Sequence, residues 1–154
     1  MKTILMNMVM IYDRYNKKVL VLDKKKKHGW EGLTFPGGHV EKIESFNDSA
    51  IREIKEETNL NVFNLKLKGF IQWYVKDNVD ERHVGILYYT EDFTGNLIED
   101  NIEGKLFWMD LDEFINMPNK SDSMDDCMKI YLDEFTEIVN YFEKDKKLDI
   151  KYFE

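Results

Sequence analysis

The chain holds one cysteine and two prolines in 154 residues, only three histidines, and no long apolar run. A lone thiol, Cys127, can neither close an intramolecular disulfide nor help assemble a cysteine-based zinc site. His28, His39 and His83 are scattered without zinc-ligand spacing and read as bystanders. No stretch approaches the roughly 18 continuous apolar residues of a membrane span, so no membrane partner is expected. There is no internal repeat and no linker rich in Gly, Ser or Pro, which leaves one domain over residues 1–154. Basic residues are the minority, 22 against 30 acidic ones, for a net charge of −8. That balance excludes a charge-driven nucleic-acid polymer binder, which needs a basic face to displace counterions. It should also repel phosphorylated metabolites unless something reverses the sign locally.

What is present suffices for a packed core, with 43% hydrophobic and 14% aromatic residues. Lys2 followed by the apolar Ile4–Tyr12 resembles an export signal, but Asn7 interrupts it and no small-residue cleavage site follows. A buried first strand and a cytoplasmic location are the expectations. Lys18–Leu22 reads as its hairpin partner across the turn Asp13–Asn16, and Lys24–Trp30 as a basic loop. Phe35-Pro36-Gly37-Gly38 should break any regular element. A helix is predicted from Ser45 to about Thr58, opened by the Ser45/Asp48 capping pattern, with Ala50, Ile51 and Ile54 on its apolar face. Val62–Val75, Val84–Tyr89 and Leu106–Met109 are strand-like, with turns at Asp77–Asp80 and Thr94–Asn96. Apolar residues from Met128 to Phe142 at spacings of three and four predict a second helix, Met124–Phe142, carrying Cys127 as a small packed residue. Lys144–Glu154 reads either as a solvated tail or as a short final strand. The order of elements implies a mixed α/β (α+β) layered domain.

The first helix has a charge pattern that stability alone does not select. Glu53, Glu56 and Glu57 stand at i, i+3 and i+4, one stripe at about 3.6 residues per turn. Like charges so spaced repel, and they lie toward the C-terminal half, where the helix dipole disfavours anions. A hard divalent cation, Mg2+ or Mn2+, would relieve both costs, because it takes carboxylate oxygens and bridges to phosphates. On these three residues alone a solvated acidic face remains the plain alternative.

Their surroundings weigh against the plain reading. From Gly38 the chain runs through Glu44 to Arg52-Glu53-Ile54-Lys55-Glu56-Glu57-Thr58-Asn59-Leu60. This resembles the Nudix hydrolase signature, Gly-x5-Glu-x7-Arg-Glu-aliphatic-x-Glu-Glu-x-Gly-aliphatic. Gly38, Glu44, Arg52, Glu53, Ile54, Glu56, Glu57 and Leu60 match; only Asn59 departs, standing where the family has Gly. A helix C′ position needs a left-handed residue, and Asn tolerates that conformation next best after Gly. The segments Trp30-x-Gly-Leu-Thr-Phe-Pro-Gly-Gly, Phe93–Leu97 and Glu103–Trp108 look like the MutT-type branch, the 8-oxo-dGTP diphosphatases.

The resemblance implies a Nudix fold, a mixed sheet sandwiched between helices, and Mg2+-dependent hydrolysis of a nucleoside triphosphate to monophosphate and pyrophosphate. The implied substrate is 8-oxo-dGTP, with a role in nucleotide-pool sanitation and DNA repair. Another nucleoside diphosphate derivative, such as ADP-ribose or a dinucleoside polyphosphate, is the alternative, and a non-catalytic nucleotide sensor a more distant one. By position, Glu53, Glu56 and Glu57 would hold the metal with a Gly38 carbonyl and Glu103, and one of the glutamates would serve as base. Arg52 would pair with Glu44. Lys24, in the run Lys24–Lys27, is a candidate for phosphate steering, and Gly37 for close backbone approach to the substrate. Phe35 and Trp73, with Trp30 and Tyr74, are candidates to flank a base, and Asn119 to read a purine edge. Monomer and homodimer both stay open.

Overall fold

The structure, a computed structural model, describes residues 1–25, 31–75, 77–143 and 146–154. In chain order the elements are β1 (Lys2–Asp13), β2 (Lys18–Lys24), β3 (Gly32–Thr34), β4 (Gly37–His39), α1 (Phe46–Thr58), β5 (Asn61–Phe63) and β6 (Lys66–Val75). There follow β7 (Asn78–Thr90), β8 (Asp92–Thr94), β9 (Asp100–Asn101), β10 (Gly104–Asp110), α2 (Leu111–Asn116), α3 (Met124–Tyr131), β11 (Glu137–Glu143) and β12 (Lys146–Phe153). The large sheet runs β12-β11-β6-β7-β1-β2-β10-β9, with β3 on β2 and β4 on β1. It is mixed: β1 lies parallel to β7 from Lys2↔Glu81 to Ile11↔Thr90, and antiparallel to β4 through Asn7↔Gly38. β11 lies parallel to β6.

Period-two alternation sorts side chains onto the two faces. Val9, Ile11, Leu20 and Leu22 point one way and pack with Ala50 and Ile54 of α1. Met10, Val19 and Val21 point the other way, against Phe114 of α2 and Met124, Cys127 and Ile130 of α3. The sheet is therefore sandwiched between helices, as expected. Ile54 is fully buried, and truncation to Ala there should cost about 2–5 kcal/mol through lost burial and the cavity left behind.

α1 ends where its local chemistry dictates. The Ser45 side chain accepts from the Asp48 amide at 2.9 Å, satisfying one free N–H of the first turn. Asn59 closes the helix in the left-handed conformation, φ 67°, and its amide donates to the Lys55 carbonyl. The glycine-to-asparagine departure is thus absorbed.

Four expectations are corrected. The predicted helix Met124–Phe142 is a helix only to Tyr131; Asp133 takes φ 65° and Glu137–Glu143 form strand β11. β11 lies between β6 and β12, so Ile138, Val139 and Asn140 are buried in succession on both faces. Spacings of three and four within an interior strand mimic a helical stripe. Phe35–Pro36 interrupt regular structure between β3 and β4 as expected, but Gly37–Gly38 form β4 with His39, because β1 supplies a partner. Val62–Val75 is split at Asn64, φ 51°, into β5 and β6. The turn placed at Asp77–Asp80 is shorter, since β7 already begins at Asn78. Of the two readings of the C-terminus, β12 realises the strand.

Candidate active site

A cleft of about 330 Å³ opens where β4, the C-terminal half of α1 and the turn between β9 and β10 meet. One end is charged, with Glu53, Glu57, Glu103 and Lys24. The other end is largely apolar, with Met6, Met8, Trp73, Leu87 and Met124, and carries Ser121 and Asp122. α1 presents Glu53 and Glu57 one helical turn apart, so both carboxylates face β4. The turn is braced by Asn101. Its amide donates to the Glu57 carbonyl at 2.9 Å, and its Oδ1 accepts from the Glu103 amide at 2.7 Å.

β4 is held at every residue by side chains from α1 and β1. The Gly37 amide donates to Glu57 Oε2 at 3.3 Å, and the Gly38 amide to Asn7 Oδ1 at 3.2 Å. The His39 carbonyl accepts from Arg52 Nη2 at 3.0 Å and from Ser49 Oγ at 3.4 Å. A Cβ on Gly38 would stand 2.3 Å from the Glu53 carboxyl, so that carboxylate rests directly on bare backbone. A Cβ on Gly37 would lie 2.0 Å from the Asn7 carbonyl oxygen. Both positions need glycine for close approach, not for unusual dihedrals.

Arg52 gathers the acids around it. Its Nε and Nη2 form a two-pronged pair with Glu44 at 3.0 and 2.7 Å. Nη1 is shared between Glu53 at 2.9 Å and Glu56 at 3.2 Å. The Arg52 hydrogen bond, then the Glu41 amide, hold the Glu44 carboxyl down at about 2. The opposite holds inside the cleft. Burial, then the charges of Glu103 and Glu53, push Glu57 up to about 8, against the Gly37 amide and Lys24, which favour its ionised form. Burial also raises Glu53, partly offset by Arg52. Lys24 Nζ stands 3.5 Å from Glu103 Oε2 at the charged end.

The predicted site residues divide accordingly. Glu53, Glu57, Glu103, Lys24, Gly37, Gly38, Phe35 and Trp73 all line the cleft. Glu44 and Arg52 stand beside it and fix its wall. Glu56 does not line it; its side chain is 60% exposed and turned onto Arg52. Phe35 is almost fully buried, stacked on Phe114 at 4.9 Å and edge-on to Tyr131 at 5.5 Å, so it belongs to the core as much as to the cleft. Trp73 is held by its Nε1, which donates to Ser123 Oγ at 3.0 Å. Asn119 is exposed and outside the cleft; its carbonyl accepts the Leu33 amide at 3.0 Å, while Ser121 and Asp122, just beyond it, line the cleft. Tyr74 stacks on Tyr141 at 5.6 Å, away from the cleft lining. The His83 ring pairs with Glu81 at 2.8 Å, and buried Cys127 has its thiol pushed up to about 12 by burial, which makes it inert. Lys26, Lys27, His28 and Trp30 lie outside the described residues. Sequence reading missed Asn7 and Asn101, whose only signal was a lone amide residue where neighbours are apolar or acidic.

Among the described residues no three acids, imidazoles or thiols stand close enough to enclose one ion as placed. The chemistry of the donor set nevertheless fits a hard divalent cation. Glu53, Glu57 and Glu103 offer oxygen ligands at one end of the cleft, and their mutual repulsion adds to burial in lifting Glu57. A cation there would remove the repulsion and restore the ionised carboxylates.

The NUDIX domain family model matches residues 5–129. The chain is 35% identical over 103 residues to the Nudix hydrolase YvcI of Bacillus subtilis (strain 168), itself uncharacterized, across 66% of this chain and 63% of that protein. It is 38% identical over 58 residues to YtkD of the same organism, provisionally named an 8-oxo-dGTP diphosphatase, across 38% of this chain and 37% of that one. The chain therefore spans less than two thirds of the length of either relative. In fold it is similar to the crystal structure of the mutator MutT protein from Bacillus halodurans, with a TM-score of 0.79, 23% identity and 97% of each chain covered. The match over residues 5–129 takes in both flanks of the cleft and the whole of α1, and on that ground this chain belongs to the NUDIX domain family.

Proposed function

We propose that the protein hydrolyses a phosphoanhydride bond of a nucleoside triphosphate, releasing the monophosphate and pyrophosphate, with 8-oxo-dGTP as its substrate. The observation that carries the reading is the gathering of Glu53, Glu57 and Glu103 beside the bare backbone of Gly37–Gly38, with Lys24 at the rim. Glu53, Glu57 and Glu103 would hold Mg2+ or Mn2+, which when bound supplies neutralising charge at the phosphates and acidifies water. Glu56, exposed and paired with Arg52, joins them only by leaving that pair. Lys24 attracts the polyphosphate, and Arg52 keeps Glu53 and β4 in register for it. In the reaction a water oxygen bonds to phosphorus as the bridging P–O bond breaks. The bridging oxygen departs with the product that is not attacked, and the water proton passes to a cleft carboxylate.

The apolar end, with Trp73 and methionines Met6, Met8 and Met124, has the chemistry of a slot for a planar base. The choice of 8-oxo-dGTP draws on the name of YtkD and the MutT-type segments in the sequence. The test is a panel of 8-oxo-dGTP, the ordinary nucleoside triphosphates, ADP-ribose and dinucleoside polyphosphates, with products identified and kcat/KM compared. A kcat/KM for 8-oxo-dGTP above that for dGTP by tenfold or more, about 1.4 kcal/mol, is expected. Equal values would remove the substrate assignment. Full turnover by Glu57→Gln would remove the catalytic one.

A further inference from the structure

Asn7 is a polar residue where the sheet calls for an apolar one. It sits on β1 in the row with Val9 and Ile11, facing α1, and is only 5% exposed. An amide buried there without partners would be destabilising, and Val or Leu would satisfy packing without that risk. Both ends of the amide are instead engaged, and both engagements lead to β4. Oδ1 accepts from the Gly38 amide, and Nδ2 donates to Ser49 Oγ at 2.7 Å. A backbone N–H can only donate, so Oδ1 must face Gly38 and Nδ2 must face Ser49. The Ser49 hydroxyl, having accepted that bond, donates onward to the His39 carbonyl. One amide thus orients two consecutive residues of the strand on which the Glu53 carboxyl rests.

We infer that Asn7 is a positioning residue for the cation site: it fixes the Gly38–His39 backbone against Glu53, with Ser49 as its relay. The inference rests on the proposed function in one respect, that Glu53 and Glu57 ligate a cation. Hydrogen bonds behind a ligating shell typically change metal affinity about 10–100-fold when removed. Asn7→Leu keeps the branched shape and deletes both bonds. Ser49→Ala deletes the relay and leaves the bond from Gly38 to Asn7 in place.

The experiment titrates Mn2+ into the full chain by electron paramagnetic resonance, with no nucleotide present, and records Tm for each variant. Asn7→Leu is expected to raise the Mn2+ Kd about tenfold. Ser49→Ala is expected to raise it by a smaller factor, and the double variant to be no worse than about twofold beyond Asn7→Leu alone, since the two act in series. A lower Tm with unchanged Mn2+ affinity in the folded protein is the signature of a merely structural asparagine and overturns the inference. If Asn7→Leu does not fold, Ser49→Ala decides by the same criterion. Glu57→Gln serves as the reference. Unchanged affinity in that variant sinks the carboxylate site and this inference with it. Weakened binding in Glu57→Gln, alongside wild-type affinity in Asn7→Leu and Ser49→Ala, sinks the role of Asn7 alone.

Discussion

Glu57→Gln tests the electrostatics of the cleft without any substrate. Burial, Glu103 and Glu53 hold the Glu57 carboxyl at about 8, against an ordinary value of 4.5. Below about pH 4.5 the group is protonated in both the folded and the unfolded chain and contributes no pH dependence. Between 4.5 and about 8 the unfolded chain has lost this proton while the folded one keeps it. The folded state then binds more protons, and stability must fall as pH rises. Above about 8 both forms are ionised and the loss is complete. Taken whole, at about 1.4 kcal/mol per pH unit, the displacement bounds the effect near 5 kcal/mol. The cleft mouth admits water, which screens the charges, so about 2–3 kcal/mol is the expected size. Urea denaturation in EDTA from pH 5 to pH 9 reads it directly. Relative to wild type, Glu57→Gln should gain about 2–3 kcal/mol across that range, and saturating Mg2+ should abolish most of the wild-type slope. Parallel stability curves for wild type and Glu57→Gln in EDTA would refute the account of burial and repulsion.

Gly38→Ala places a methyl 2.3 Å from the Glu53 carboxyl and must displace it; turnover should fall about 100-fold, with Mn2+ affinity reduced in parallel, and wild-type kinetics would show that Glu53 does not rest there. Arg52→Lys cannot reproduce the two-pronged pair with Glu44 while also reaching the His39 carbonyl, Glu53 and Glu56. A loss of about tenfold in kcat/KM is expected, and retention of activity would mean that a point charge suffices. Cys127, buried and with its thiol held at about 12, should react with an aromatic disulfide reagent only after denaturation; rapid labelling of the native chain at pH 8 would show that the α3 face opens.

The sequence made α1 legible because its signals are local: a capping serine, a left-handed asparagine and three glutamates on one stripe all act within a few residues. The structure divides that stripe in one respect. Spacing places Glu53, Glu56 and Glu57 together, but Arg52 draws Glu56 out to solvent, and that choice depends on where Glu44 lies. The false helix through Phe142 failed for a related reason. β11 is strand only because β6 and β12 flank it, and a neighbour in space leaves no mark on local periodicity. Asn119 is suggested by likeness to an asparagine late in MutT-type chains; the segment holding it pairs Lys120 with Leu33, and Ser121 and Asp122 line the cleft beyond it. Asn7 was read as a flaw in an apolar run, since its partners Gly38 and Ser49 are remote in sequence.

The parallel pairing of β1 with β7 has a consequence for the order of assembly. β1 leaves the ribosome well before β7, since Lys2 finds its register partner at Glu81, roughly 80 positions later. Of its nearer partners, β2 pairs with it only at Tyr12 and Asp13, and β4 is three residues long, so neither secures the length of β1 by itself. Closing so long a loop must precede any gain from the ladder, and β6 must also await β11 for its second neighbour. The floor of the cleft, built on Met6–Met8 and on Gly85 and Leu87, is therefore among the last parts of the molecule to form, well after α1 can coil. Until then the edge of the methionine-rich β1 that β7 covers stays unpaired, and the newly made chain is most open to aggregation over that interval.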